Sequence, residues 1–176
     1  MTLPFEDITW LFASGRKTRN IIRLNLEEAS LLFSFAKSKD KKLEIGRRFG
    51  GSTLLLAATG GRLTSIDINA QEKKECLEML KDVKLITGDS KTYNYNESYN
   101  FIFIDGDHSY NGVKMDFLNV EKFLEQDALV CFHDAKINKY GVETFYRELI
   151  GLKRVELVAE KESLVICRWI GNPADF

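Results

Sequence analysis

Proline is almost missing from this chain: among 176 residues there are only Pro4 and Pro173, one near each end, so helices and strands can run through the middle without a breaker. Long apolar runs are missing too. None approaches the ~20 residues of a membrane helix, and the N-terminal MTLPFEDITW has no basic stretch leading into an apolar one. The expectation is a cytoplasmic chain with no membrane contact. Cysteine is scarce: Cys76, Cys131 and Cys167 are an odd set without CxxC spacing, which argues against disulfides or a zinc ribbon and predicts buried free thiols. Neither sign of charge is in excess, with 25 Lys and Arg against 26 Asp and Glu, so the balance gives no footing for a nucleic-acid partner. The basic stretches GRKTR (15–19) and KSKDKK (37–42) read as solvated surface. No internal repeat or linker interrupts the chain, and its length suits a single domain over 1–176, with an N-terminal helical segment over 1–40 and a core over 42–170.

What the chain has is alternation. KLEIG (42–46) reads as a strand, GSTLLLAATG (51–60) as a helix ended by glycines, and RLTSIDI (62–68) as a second strand. QEKKECLEML (71–80) predicts a helix with Cys76, Leu77 and Leu80 on one face, and VKLITG (83–88) a third strand. NFIFID (100–105) is the fourth strand, followed by a helix from about Asn111 to Leu124 in which Val113, Phe117, Val120 and Leu124 keep helical spacing. ALVCFHD (128–134) is the fifth strand; a helix near 140–150 then leads into RVELVAE and SLVICRW, a hairpin turning at KES (161–163). Asn25 predicts the N-cap of a helix over LEEASLLFSFAK. Repeated strand–helix units predict an α/β fold: a Rossmann-like, doubly wound, seven-stranded, mostly parallel sheet with a C-terminal antiparallel hairpin. In such folds ligands bind beyond the carboxyl ends of the strands, so the residues just after each strand carry the information.

After the first strand, Gly46 and Gly50 let the backbone turn tightly beside a ligand, but Arg48 occupies the middle position of GxGxxG, which disfavours a nicotinamide-dependent oxidoreductase. Asp67 ends the second strand at the spacing where an acidic side chain meets a ribose diol. Asp89 and Ser90, after the third, suit an adenine edge. The fourth and fifth strands end in Asp105-Gly106-Asp107-His108 and His133-Asp134; if these strands are neighbours, ~4.8 Å apart, Asp105, His133 and Asp134 converge and can ligate a divalent cation. Asp107 reads as a helix-start carboxylate and Tyr110 as a ring of the pocket wall.

In order and spacing, LEIGRRFGGSTLLLA, SIDIN, GDS, FIFIDGDHSYNGVKMD and LVCFHDA resemble the class I S-adenosylmethionine-dependent methyltransferases, in particular the small DGDHSY-bearing branch that is similar to catechol and caffeoyl-CoA O-methyltransferases. The resemblance implies that Glu44, Gly46, Gly50 and Ser52 cradle the methionine half of S-adenosyl-L-methionine, that Asp67 binds its ribose, and that Asp89 and Ser90 lie beside adenine. It implies Asp105 both at the cofactor and, with His133 and Asp134, as a ligand of magnesium or another divalent cation. His108 takes the position of the general base, for a small-molecule hydroxyl substrate, and a homodimer is compatible with it. Two other readings stand beside this one: a non-catalytic cofactor-binding module, and an iron- and 2-oxoglutarate-dependent hydroxylase relative of the same fold. Arg47 and Arg48 either pair with the cofactor carboxylate or reach solvent. By the same resemblance, substrate selection is expected in residues 1–40, including GRKTR, and in the segment AKINKYGVE (135–143), while Trp10 and Phe12 read as packing residues in preference to a substrate lid.

Overall fold

A computed structural model describes residues 21–171. Trp10, Phe12 and GRKTR lie outside the described residues.

The described elements are helix α1 (Leu26–Ala36), strand β1 (Lys41–Ile45), α2 (Gly51–Ala57), β2 (Arg62–Asp67), α3 (Lys74–Met79), β3 (Lys84–Thr87), β4 (Tyr99–Ile104), α4 (Tyr110–Val120), β5 (Leu124–Phe132), α5 (Val142–Gly151), β6 (Val155–Lys161) and β7 (Leu164–Trp169). Seven strands form one sheet in the order β3-β2-β1-β4-β5-β7-β6. β1 pairs in parallel with both β2 and β4, so the strand order reverses beside it, and β4 pairs in parallel with β5. The β6–β7 hairpin joins antiparallel to β5.

Helices cover both faces, which is why β4 is apolar from Phe101 to Ile104 instead of alternating with polar residues. Phe101 and Phe103 point to the face packed by Ala29 and Leu32 of α1, Leu54 and Leu55 of α2, and Cys76 of α3. Ile102 and Ile104 point to the other, where Val113 and Phe117 of α4 meet Phe145 and Tyr146 of α5. All three cysteines are buried, as their strand and helix positions predict.

α1 starts where Asn25 sets it: the Asn25 side chain accepts from the Glu28 amide at 2.8 Å, and Glu28 accepts from the Asn25 amide at 3.0 Å, a reciprocal capping box. Two expectations need correction. Leu77 is 44% exposed while Cys76 and Leu80 are buried, because α3 is a short helix whose packed face is narrower than the periodic pattern suggests. β5 begins at Leu124, four residues before the expected Ala128, because Leu124 pairs with Tyr99 across a register shift in the β4–β5 ladder.

Candidate active site

The carboxyl ends of β1, β2, β4 and β5 open into a cavity of about 690 Å³, within the range of small-molecule and cofactor sites. Gly46, Ser52, Asp67, Asp89, Ser90, Asp105, His108, His133 and Asp134 all line it. Among the expected site residues, Glu44 and Gly50 do not; they shape the loop from behind.

Gly46 has φ +88°, and a Cβ there would collide with the Asp105 main chain, because the amides of Gly46 and Asp105 are fastened to neighbouring strand ends. The β1 loop thus lies directly against the end of β4. Glu44, fully buried beneath it, accepts from Ser52 Oγ at 2.5 Å, Thr53 Oγ1 at 2.6 Å and Ser65 Oγ at 2.5 Å. Burial pushes its pKa up, to about 7, against the opposing pull of those three hydroxyls. Asp67 is held by backbone: Oδ2 accepts from the Arg47 and Arg48 amides at 2.9 and 2.8 Å, and Oδ1 from the Asn69 amide at 2.8 Å. The Arg47 guanidinium is buried and committed to Glu72, to the carbonyls of Ser65 and Ile86, and to Thr87 Oγ1. Arg47 is therefore a brace across the ends of β2 and β3. The Arg48 guanidinium lies over the Phe49 ring, 4.9 Å from its centroid, at the cavity wall.

At the end of β3, Ser90 Oγ donates to Asp116 Oδ1 at 2.6 Å. Asn119, one helical turn further along α4, donates from Nδ2 to the carbonyls of Ser90 and Tyr93 at 2.8 and 2.9 Å. Neither α4 residue was singled out by the sequence. The only local signal is a pair of polar residues three apart, on a helix whose next-door positions Phe117 and Val120 are buried.

β4 and β5 bring the most reactive groups together. Asp105, His108 and Asp134 present ligand-type atoms all within 4.8 Å of one another. His108 Nδ1 is 3.6 Å from Asp134 Oδ2, and its ring stacks on Tyr140 at 4.8 Å. Asp134 adopts φ +54°, a left-handed conformation that it shares with Arg48, Asp127, Lys153 and Glu162 and that Asp tolerates better than most residues. His133 is also adjacent, but its ring is already committed. Nδ1 bonds Asp105 Oδ1 at 2.8 Å, and Nε2 faces Glu28 Oε2 at 3.6 Å, too far for a hydrogen bond. The geometry exchanges His133 for His108 in the convergent set. Burial alone would lower the His133 pKa; the bond to Asp105 and the facing carboxylate of Glu28 override it and raise it to about 10. Burial likewise pushes Glu28 up, and His133, Ser163 and the Asn25 amide override it, bringing it down to about 2. The result is a carboxylate–imidazolium–carboxylate row reaching from α1 to the end of β4.

Asp107 is a helix-start carboxylate, as expected. It accepts from the Ser109 amide at 3.0 Å beside that N-cap and from Lys91 Nζ at 2.8 Å, and the Lys91 bond brings its pKa down to about 2. Tyr110 is not a pocket wall: its hydroxyl donates to Glu148 and its ring packs edge-on against Phe145, between α4 and α5. The aromatic rings in the cavity wall are Phe49 and Tyr140.

A methyltransferase domain family matches residues 43–135, the span that carries the glycine loop and all five strand ends. No curated protein matches the sequence. Among solved structures, an O-methyltransferase from Bacillus cereus in complex with S-adenosylhomocysteine is similar with TM-score 0.67 at 19% identity, over 83% of this chain and 82% of that one. A putative caffeoyl-CoA O-methyltransferase from Staphylococcus aureus gives TM-score 0.69 at 17% identity, over 83% and 84%. The N-methyltransferase NodS from Bradyrhizobium japonicum, in complex with S-adenosylhomocysteine, gives 0.67 at 19%, over 96% and 98%. At these identities the structures establish the shared fold, and the matched family establishes the rest: the chain belongs to the methyltransferase domain family, as a class I S-adenosylmethionine-dependent methyltransferase that resembles the O-methyltransferases.

Proposed function

We propose that the protein methylates a hydroxyl oxygen of a small molecule, with His108 removing the hydroxyl proton. The observation that carries this reading is the convergence of Asp105, His108 and Asp134 at the β4–β5 end of the cavity, across Gly46 from the cofactor loop. An amine presents its lone pair to an electrophile once neutral, whereas a hydroxyl near neutral pH needs a base in place as the new bond forms. Likeness to the O-methyltransferases of Bacillus cereus and Staphylococcus aureus supports the same choice.

The residues present fit S-adenosylmethionine. Gly46 and Ser52 are at hand for the methionine half, on a loop whose shape Glu44 and Gly50 fix. A carboxylate has about four acceptor positions. Asp67 uses three of them on backbone amides, which leaves one on Oδ1 for a ribose hydroxyl. Asp89 and Ser90, in the cavity wall, would meet the adenine, and Asp105 would lie between the cofactor loop and the acceptor side. When bound, the cofactor supplies a methyl group on a positively charged sulfur that departs as a neutral thioether. The chain's part is alignment and proton removal. With Nδ1 turned to Asp134, His108 has Nε2 free to take the acceptor's proton as its oxygen forms the bond to carbon. Tyr140, stacked on the ring, fixes its plane.

The same convergence favours a second reading, in which Asp105, Asp134 and His108 hold a divalent cation whose open positions take the acceptor's oxygens and lower the pKa of the hydroxyl. His108 is then a ligand instead of a base.

Calorimetry with S-adenosylhomocysteine tests the cofactor; saturable binding is expected, and no binding at millimolar concentration overturns the proposal. Release of S-adenosylhomocysteine across a panel of phenols, sugars and hydroxy acids tests the acceptor class. Turnover unaffected by a chelator supports His108 as base, while turnover abolished by chelation and restored by magnesium or manganese supports the cation.

A further inference from the structure

The lysines and arginines that line the cavity are Arg23, Arg47, Arg48 and Lys91, and only two of them are neutralised. The Arg47 guanidinium meets Glu72, and Lys91 Nζ meets Asp107 Oδ2 at 2.8 Å. No described carboxylate pairs with Arg23 or Arg48. Glu72, the acid beside Lys73 in the sequence, is turned inwards and spent on Arg47, so Lys73 adds to the charge of the glycine loop instead of losing its own. Lys73 Nζ and Arg48 Cζ each lie 4.9 Å from the centroid of the Phe49 ring. Asp67, the carboxylate nearest this loop, is already taken by three backbone amides.

Both unpaired arginines are anchored by their backbone. The Arg48 amide donates to Asp67 Oδ2 at 2.8 Å. Arg23 lies on a segment that crosses the start of α2: a Cβ on Gly51 would sit 2.3 Å from the Ile21 carbonyl oxygen, so the glycine is what lets the chain pass. Ile22 and Leu24 are buried on either side, which leaves Arg23 exposed between them at the cavity mouth. S-adenosylmethionine does not cancel these charges. It brings one carboxylate, one ammonium and one sulfonium, so the bound cofactor is itself a net cation.

We propose that Arg23 and Arg48 are specificity-determining residues that take an anionic group of the acceptor, so that the substrate is a hydroxyl compound carrying a carboxylate or a phosphate. The inference rests on the reading above, in which the acceptor's hydroxyl meets His108 and the cofactor's methionine half lies at Gly46 and Ser52. A guanidinium offers a planar fork of donors that matches two oxygens of such a group. A hydrogen bond to a charged group is worth roughly 10- to 100-fold in affinity.

Calorimetry on the protein loaded with S-adenosylhomocysteine compares each of two anions with its uncharged counterpart: protocatechuate with catechol, and glycerol phosphate with glycerol. The wild type is expected to bind one of the anions roughly 10- to 100-fold more tightly than its counterpart, and the pair that shows the preference tells carboxylate from phosphate. Arg23→Gln and Arg48→Gln should each lower that ratio, and the double variant should bring it to within about threefold. A ratio that survives in the double variant overturns the inference. The cofactor's own carboxylate is the other anion within reach of this loop, so S-adenosylhomocysteine and methylthioadenosine, which lacks the amino-acid half, are titrated into each unloaded protein. The ratio of their constants should be the same in the double variant as in the wild type; a ratio that collapses there assigns the arginines to the cofactor and overturns the inference. Equal binding of anion and counterpart by the wild type, or no binding of either anion at millimolar concentration, overturns this inference alone. A wild type that does not bind S-adenosylhomocysteine overturns the cofactor reading beneath it.

Discussion

The two halves of the cavity use their polar groups in opposite ways. On the β1–β2 side, Glu44 is met by three hydroxyls, Asp67 by three amides and Arg47 by Glu72 and two carbonyls, and every bond is internal to the protein. On the β4–β5 side, Asp105, His108 and Asp134 converge without closing on one another, Asp134 holds a left-handed backbone, and His133 Nε2 has no hydrogen-bond partner. Satisfied groups set the shape of a backbone. Groups left facing one another across a cavity are placed for something that arrives from outside.

The comparison breaks most sharply at His108. Replacing it with alanine should lower turnover by about 10²- to 10⁴-fold, the usual worth of a positioned general base. Because the side chain is partly exposed, binding of S-adenosylhomocysteine and thermal stability should barely change. A variant with full turnover removes His108 from the chemistry.

Glu28 should give the next largest effect, on stability instead of rate. Glu28→Ala removes one of the three carboxylates beside a buried imidazolium and unties Ser163, whose amide and hydroxyl donate to it at 2.9 and 2.6 Å. A loss of about 3 kcal/mol is expected in urea unfolding, as for other buried ion pairs stripped of one partner. A loss under about 1 kcal/mol would show that Glu28 is only a helix cap.

The smallest effect is a pH profile, and it separates the two halves. Glu28, lowered to about 2, contributes stability that is present above its ordinary 4.5 and is lost as pH falls towards 2. His133, raised to about 10, contributes stability that is complete below 6.5 and is lost as pH rises through 10. Glu44 behaves differently: raised to about 7 by burial, it favours folding fully below 4.5 and gives that up as pH climbs through 7. Urea unfolding should show a decline between about pH 4 and 7, to which Asp116, raised to about 6 by burial, also contributes, and Glu44→Gln should make it shallower with the outer limbs unaltered. A profile that keeps its slope in that window would place Glu44 outside the titration.

Much of this architecture was legible beforehand. The strands and the helices between them follow from apolar runs punctuated by glycine, and the Asn25 cap follows from one side chain and one turn. Where reading failed, the cause lay in distant partners. Leu124 begins a strand because Tyr99 pairs with it, and Leu77 faces out because a helix as short as α3 packs with only part of its apolar stripe. Tyr110 and Tyr140 are both aromatic residues after strand ends. Only the packing of α5 against α4 draws the first between those helices and leaves the second in the cavity.

By itself the sequence determined the alternating fold, the order of the strand-end motifs and the chemistry those ends can offer. Each of these rests on neighbours within a few residues, where hydrophobic period, turn conformation and spacing decide. The tertiary structure decided which acid or imidazole braces and which is left to react: Glu28 meets Ser163 across 135 positions, His133 meets Asp105 across 28, and Ser90 meets Asp116 across 26. A carboxylate's charge and role depend on what lies within a few ångströms of it in a medium of low dielectric, and folding alone brings those groups there.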